Sequence, residues 1–185
     1  MTGIRSFVAV ELPASMREEI RRIEGIIDVQ GLRLVRPEIV HVTLKFLGDV
    51  PEEKIPRMTK ALRKIGYKPF EAKVRGLGAF PGRSVRVVWL GLEGEFEGLY
   101  RDIENALKPF GFPREDRKFS PHITIGRVSR PSSEMSNCIT SRMADLSDID
   151  LGSFTVDRFY LKKSTLTRGG PIYDNLAEFS LSNPQ

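Results

Sequence analysis

Apolar positions along this chain follow two alternating periods. From Ile4 to Val10 they run almost without a break and stop at Leu12-Pro13, after which Met16, Ile20, Ile23 and Ile27 recur three or four residues apart. The first spacing predicts a strand and the second an amphipathic helix with one stripe facing a core. Leu32 to Val35 and His41 to Leu47 predict two further strands, the second closed by Gly48. Pro51-Glu52-Glu53 then opens a helix carrying Ile55, Met58, Leu62 and Ile65 on one side, since proline suits a first turn and carboxylates suit the positive end of the helix dipole. The first half reads β-α-β-β-α.

Beyond it, Phe70, Ala72 and Val74 alternate with Glu71, Lys73 and Arg75, the pattern of a half-exposed strand, and Val85 to Leu90 predicts a more apolar one. The loop Gly78 to Gly82 joins them as a hairpin. Phe96, Leu99, Ile103 and Leu107 mark a third helix that ends at Lys108-Pro109; the loop Gly111 to Ser120 and a strand from His122 to Val128 follow. Pro131 to Asp150 predicts a loop with one weak helix, and two strands close the chain near Phe154 to Leu161 and Ile172 to Leu181. Nothing resembling a linker divides it, so residues 1–185 are expected to form one domain. Helices alternate with hairpin-like strand pairs, which predicts an α+β fold with largely antiparallel sheets in place of a doubly wound one.

Two strands carry polar residues where a core strand would not. In HVTLKFLG, starting at position 41, side chains alternate faces, so His41 and Thr43 point one way while Val42 and Leu44 point the other. HITIGRVS, starting at 122, repeats this with His122 and Thr124. These are the two histidines of the protein. One histidine on an apolar strand reads as a satisfied core imidazole; two matched His-x-Thr pairs read as two strands facing one cleft.

Composition narrows the chemistry. The chain has 185 residues, 40% of them hydrophobic, and lacks any apolar stretch of membrane-spanning length or a signal-like N-terminus. A cytoplasmic protein with no membrane association is expected. A single cysteine, Cys138, allows no internal disulfide and no cysteine cluster, and the distant histidines form no metal motif, so neither metal nor cofactor is expected. The net charge of +5 permits a polyanionic partner without requiring one.

Two imidazoles with ordinary pKa values of about 6.5 can hold opposite protonation states near neutrality, one accepting a proton while the other donates. Two hydroxyls can donate to anionic oxygens. A phosphodiester, with an attacking group and a leaving oxygen roughly in line, uses both pairs. The strained 2',3'-cyclic phosphate at an RNA end is the easiest such target. Which histidine is the acid and which the base does not follow from sequence.

At this point the chain resembles the two-histidine phosphoesterases, and within them the RNA 2',3'-cyclic phosphodiesterases first named 2'-5' RNA ligases. RSFVAVELP, LVRPEIVHVTLKFLGDV, GLGAFPGRSVRVVWLGL, KFSPHITIGRVSR and GGPIYDNLAEFSL carry the resemblance over nearly the whole length. It implies two pseudo-symmetric lobes around a central cleft, and metal-free hydrolysis of a cyclic phosphate to a 2'-phosphate; a monomer is expected, because a two-lobed chain can close its own cleft. His41 would protonate the departing 3' oxygen, His122 would activate water, and Thr43 and Thr124 would hold phosphate oxygens. The family's arginine three residues after the second threonine falls on Arg127. Strict alternation turns Arg127 away from His122, so a bend or bulge near Gly126 is expected. Joining a cyclic end to a 5'-hydroxyl, acting on a small cyclic nucleotide, and merely binding RNA ends are the competing readings.

Weaker signals stand aside. Lys162-Lys163-Ser164-Thr165 lacks the glycines of a phosphate loop, Asp145, Asp148 and Asp150 lack calcium-loop spacing, and Gly76 with Gly78 reads as a turn. Arg114, Arg117, Lys118, Arg127 and Arg130 either track an RNA backbone or form a solvated surface with Glu115 and Asp116. Trp89, Phe46 and Phe80 either stack a base or fill a core.

Overall fold

The computed structural model describes residues 3–80, 84–115 and 118–182. The apolar run at the N-terminus forms strand β1 (Gly3–Glu11), and the helical periodicity after Pro13 forms α1 (Ala14–Ile27), which buries Met16, Ile20, Ile23 and Ile27. Then come β2 (Leu32–Leu34), β3 (His41–Pro51), α2 (Ile55–Leu62), β4 (Phe70–Ala79), β5 (Val87–Glu93) and α3 (Phe96–Leu107). The chain continues through β6 (His122–Val128), α4 (Ser133–Met143), β7 (Asp150–Val156), β8 (Arg158–Thr167) and β9 (Gly170–Ser180). Every strand pairing is antiparallel, and the fold is α+β as expected.

Hydrogen bonding links all nine strands in the order β7-β4-β5-β6-β3-β1-β8-β9, with β2 beside β6. The middle of this sheet is its narrowest point. β3 and β6 share a single residue pair, Val42 with Ile123. They part beyond it because β2 occupies the edge of β6, pairing Leu32, Arg33 and Leu34 with Val128, Arg127 and Gly126, while the Val35 N–H bonds the Ile125 carbonyl at 2.9 Å. Two antiparallel halves therefore splay from a common hinge of backbone, giving the two lobes.

Helices back each half. α2 and α3 pack together with α3 against β3, and α1 packs against β6 and α4. A buried ion pair pins one of these contacts: Lys45 Nζ on β3 lies 2.7 Å from Glu104 Oε1 on α3. Lys45 also donates to the Pro113 carbonyl at 2.9 Å, and Glu104 accepts from the Glu115 N–H at 3.0 Å. Burial pushes the Glu104 carboxyl up, but its bonds from Lys45, Glu115 and Tyr100 outweigh that and hold it below the usual carboxylate range.

Several boundaries differ from the sequence expectation for physical reasons. β3 runs past Gly48 to Pro51, because Gly48 takes φ +68° and the register against β1 slips there, which bends the strand without ending it. The second helix begins with a 3-10 turn, Glu52–Lys54, before α2 proper, and α2 stops at Leu62, short of Ile65. The expected strand from Phe154 to Leu161 is two strands, broken at Asp157. β7 pairs with β4 and β8 with β1, far apart in the sheet, and the Asp157 carbonyl accepts the Leu181 N–H at 2.7 Å where the chain crosses between them. The weak helix is α4, capped by the Ser132 hydroxyl accepting the Met135 N–H at 3.1 Å. Gly82, in the loop after β4, lies outside the described residues.

Removing Lys45 strands a charge in the core. Lys45→Ala is expected to lower the unfolding free energy in urea by about 3–5 kcal/mol, and Lys45→Met combined with Glu104→Leu to regain most of that. A double variant no more stable than the single one would show that the pair does more than satisfy itself.

Candidate active site

From His41 to Leu47 the residues of β3 are half-buried, buried, half-buried, buried, buried, exposed and buried, and β6 repeats that order residue for residue from His122 to Val128. The buried-buried doublet marks an irregularity. Against β1, Val8 faces Lys45 and Ala9 faces Thr43, which skips Leu44; against β5, Val88 faces Gly126 and Trp89 faces Thr124, which skips Ile125. Each is a β-bulge, and a bulge resets which face the next residue points to. His41, Thr43 and Phe46 therefore share one face of β3, and His122, Thr124 and Arg127 share that face of β6. The bulge at Ile125 and Gly126 is the bend that Arg127 requires.

The Val42–Ile123 pair now sets the relation between these sets. Both residues are fully buried. With the strands antiparallel, continuing that register puts His41 across from Thr124 and Thr43 across from His122, all four on the face opposite the core. Each imidazole thus stands near the other strand's hydroxyl.

Both rings are held the same way. His41 Nδ1 lies 2.9 Å from the Ile39 carbonyl and His122 Nδ1 lies 2.8 Å from the Ser120 carbonyl. A carbonyl only accepts, so each Nδ1 carries the proton and each Nε2 is left toward the cleft. The surroundings of the two rings differ. His41 packs between Phe7, at 4.8 Å between centroids, and Tyr173, edge-on at 5.1 Å. His122 meets Phe80 edge-on at 4.8 Å.

A polar cavity of about 220 Å³ adjoins His41, lined in part by Glu11, Arg17, Glu38, Lys162 and Tyr173. Lys162 is buried and donates to Glu11 and to Asn175. Burial of the His41 ring lowers its pKa to about 4; the Ile39 carbonyl pulls it back up, while the charges of Lys162 and Arg127 lower it further. At pH 7 the His41 ring of the free protein is neutral.

A family model for the LigT-like phosphoesterases matches the chain twice, over residues 10–89 and 91–173. This chain belongs to the LigT-like phosphoesterases. The two matches begin near the ends of β1 and β5, and each takes in one His-x-Thr strand. An RNA 2',3'-cyclic phosphodiesterase of Methanothermobacter thermautotrophicus is 39% identical to it, covering 96% of this chain and 99% of that one. Among solved structures, a Thermus thermophilus protein superposes with a TM-score of 0.82 at 30% identity, covering 98% of this chain and 100% of the other. Escherichia coli LigT complexed with 3'-AMP gives 0.79 at 27% identity, with coverage of 98% and 99%.

Within this LigT-like cleft the five residues singled out from sequence, His41, Thr43, His122, Thr124 and Arg127, come together on one face. The other candidates scatter. Arg114 donates to Asn105 Oδ1 at 2.6 Å, Arg130 lines a separate groove beside Cys138, and Arg117 and Asp116 lie outside the described residues. Asp150 pairs with Lys73 at 2.7 Å and caps the Gly152 N–H. Trp89 lies flat across Gly78, where a Cβ would meet its ring at 2.4 Å. Glu11, Phe7 and Tyr173 border the cleft without having stood out in the sequence, and Lys162, set aside there as the tail of a phosphate loop, joins them. The one available signal was the lysine within the apolar run FYLK of β8, which only the fold directs toward His41.

Removing the Lys162 ammonium takes a cation from beside His41 and leaves Glu11 unneutralised, so both effects raise the ring's pKa. In proton NMR titrations the His41 resonance, assigned by its loss in His41→Gln, is expected to titrate near pH 4 in the parent protein and at higher pH in Lys162→Met. Titration at the ordinary histidine value in both proteins would refute this electrostatic account.

Proposed function

We propose that this chain hydrolyses the 2',3'-cyclic phosphate at the 3' end of an RNA to a 2'-phosphate, with His41 and His122 as its acid and base and without a metal. The opposed arrangement of two His-Thr couples on one face carries this reading: it supplies two ring nitrogens on opposite sides of one small volume, with two hydroxyls between them. The curated relative acts on the same substrate class by name, and a LigT relative has been solved with 3'-AMP.

In this mechanism Thr43, Thr124 and Arg127 hold the non-bridging oxygens. His122 Nε2 takes a proton from water as its oxygen attacks phosphorus; the bond from phosphorus to the 3' oxygen breaks, and His41 gives its proton to that oxygen. His41 is neutral in the free protein, so it takes up this proton as the phosphodiester brings negative charge against it. Proton exchange with solvent then resets the pair. Residues 1–185 act as one unit and as a monomer, because one chain supplies both histidines. No helix among the described residues is long and apolar enough to cross a membrane. The exposed free thiol of Cys138 suits a reducing cytoplasm.

Turnover of a short RNA ending in a 2',3'-cyclic phosphate, measured with EDTA present, is expected to leave a 2'-phosphate and to follow a bell-shaped pH profile belonging to the pair. His41→Ala and His122→Ala are each expected to slow it by roughly 10²–10⁴-fold. Turnover surviving in both variants would overturn the mechanism. Binding of the cyclic end without turnover would make the cleft a binding module.

A further inference from the structure

The two imidazoles are held alike, each by the carbonyl two residues before it, but the backbone that supplies those carbonyls is secured differently. Ahead of His41 the backbone ties itself down: the Val35 N–H bonds the Ile125 carbonyl at 2.9 Å and the Ile39 N–H bonds the Arg36 carbonyl at 3.0 Å. Ahead of His122, among the described residues from 112 to 120, no backbone group bonds another backbone group. Side chains hold that segment instead.

Most of them belong to one buried cluster. Glu104 on α3 accepts from the Glu115 N–H at 3.0 Å, and Lys45, reaching over from β3, donates to the Pro113 carbonyl at 2.9 Å. A further donor to Glu104 is the Tyr100 hydroxyl, one turn earlier on α3. The Tyr100 ring lies flat on Phe119, with centroids 4.2 Å apart and planes 7° from parallel. Phe119 immediately precedes Ser120, whose carbonyl lies 2.8 Å from His122 Nδ1. An unbroken line of contacts therefore runs from Lys45 through Glu104, Tyr100 and Phe119 to the ring. Its first member stands two residues beyond Thr43, so the strand of one His-Thr couple anchors the loop ahead of the other. The Lys45 and Glu104 side chains are only 3% and 4% exposed, and a charge pair buried so deeply gains little over apolar residues of the same volume. Apolar residues could not bond the Pro113 carbonyl and the Glu115 N–H.

We infer that Lys45 and Glu104 are positioning residues for His122: they fix Phe119 and the Ser120 carbonyl, which keeps the ring's proton on Nδ1 and leaves Nε2 free to accept one. The inference rests on the proposed role of His122 as the base. Without an acceptor at Nδ1 the neutral ring exchanges between its two tautomers, and the form protonated at Nε2 cannot take a proton from water there. Phe80, edge-on to the same ring, offers no acceptor and does not choose between them.

Nitrogen NMR of the imidazoles, at a pH where histidine is neutral, reads the tautomer of each ring, with His122 assigned by its loss in His122→Gln. In the parent protein both rings are expected in the Nδ1–H form. Lys45→Met combined with Glu104→Leu, which keeps the core filled, and Phe119→Leu, which keeps the ion pair, are each expected to turn His122 into a mixture of tautomers while His41 stays as it was. Both are expected to lower kcat on an RNA ending in a 2',3'-cyclic phosphate by about 10²-fold with KM little changed. An unchanged His122 tautomer in either folded variant, a mixed tautomer with kcat undiminished, or equal disturbance of His41 and His122 would overturn the assignment, the last because general loosening then accounts for it. The tautomer readout needs no substrate. A parent protein that fails to hydrolyse the cyclic phosphate would refute the proposed reaction, and a His122 tautomer that still depends on the pair would leave the positioning standing.

Discussion

A single backbone pairing, Val42 with Ile123, fixes the cleft. It is the only register in which two antiparallel strands, each carrying histidine and threonine two residues apart, set every imidazole against the other strand's hydroxyl. A slip by one residue would turn one couple toward the opposite face, and a longer β3–β6 ladder would flatten the two halves into one face with no recess. The short strand β2 prevents that extension by occupying the edge of β6 immediately beyond. The geometry of the cleft depends as much on where pairing stops as on where it occurs.

The bulges act one level below. Each inserts a residue after its threonine, and each turns the following exposed side chain onto the polar face while keeping Leu47 or Val128 in the core. Both strands carry the same irregularity at the same place, and it brings a phenyl ring to the polar face of β3 and a guanidinium to that of β6. The same alternation that buries Leu44 with Lys45 and Ile125 with Gly126 shows why Lys45 needs Glu104. A bulge that sends two consecutive side chains inward brings a lysine along, and α3 answers it with a carboxylate.

Local patterns were legible and relational ones were not. The amphipathic spacing of Met16, Ile20, Ile23 and Ile27, or of Phe96, Leu99, Ile103 and Leu107, is written entirely within one helix. The same holds for the period-two exposure of His41 with Thr43 and of His122 with Thr124. Resemblance added the meaning of those pairs and the candidacy of Arg127. By contrast, the break at Asp157 exists because β7 and β8 belong to different ends of the sheet, and nothing in SFTVDRFYL specifies those partners. Lys162 looked like the remnant of a phosphate loop because its neighbours in sequence are lysine, serine and threonine. Its neighbours in space are Glu11, Asn175 and the cavity beside His41.

The packing of the helices ties the two halves of the chain together. α1 leaves the half that contains β3 to lie against β6, and α3 leaves the half that contains β6 to lie against β3. A polypeptide comprising one half alone would therefore own a helix with no sheet to cover and a sheet missing one of its covers. Two such polypeptides could complete one another only by trading strands as well as helices, since β2 and β4 pair on the side of β6, and β8 and β9 on the side of β3. The present chain joins both contributions covalently, so each half of its sheet is completed by elements from the other half of its sequence.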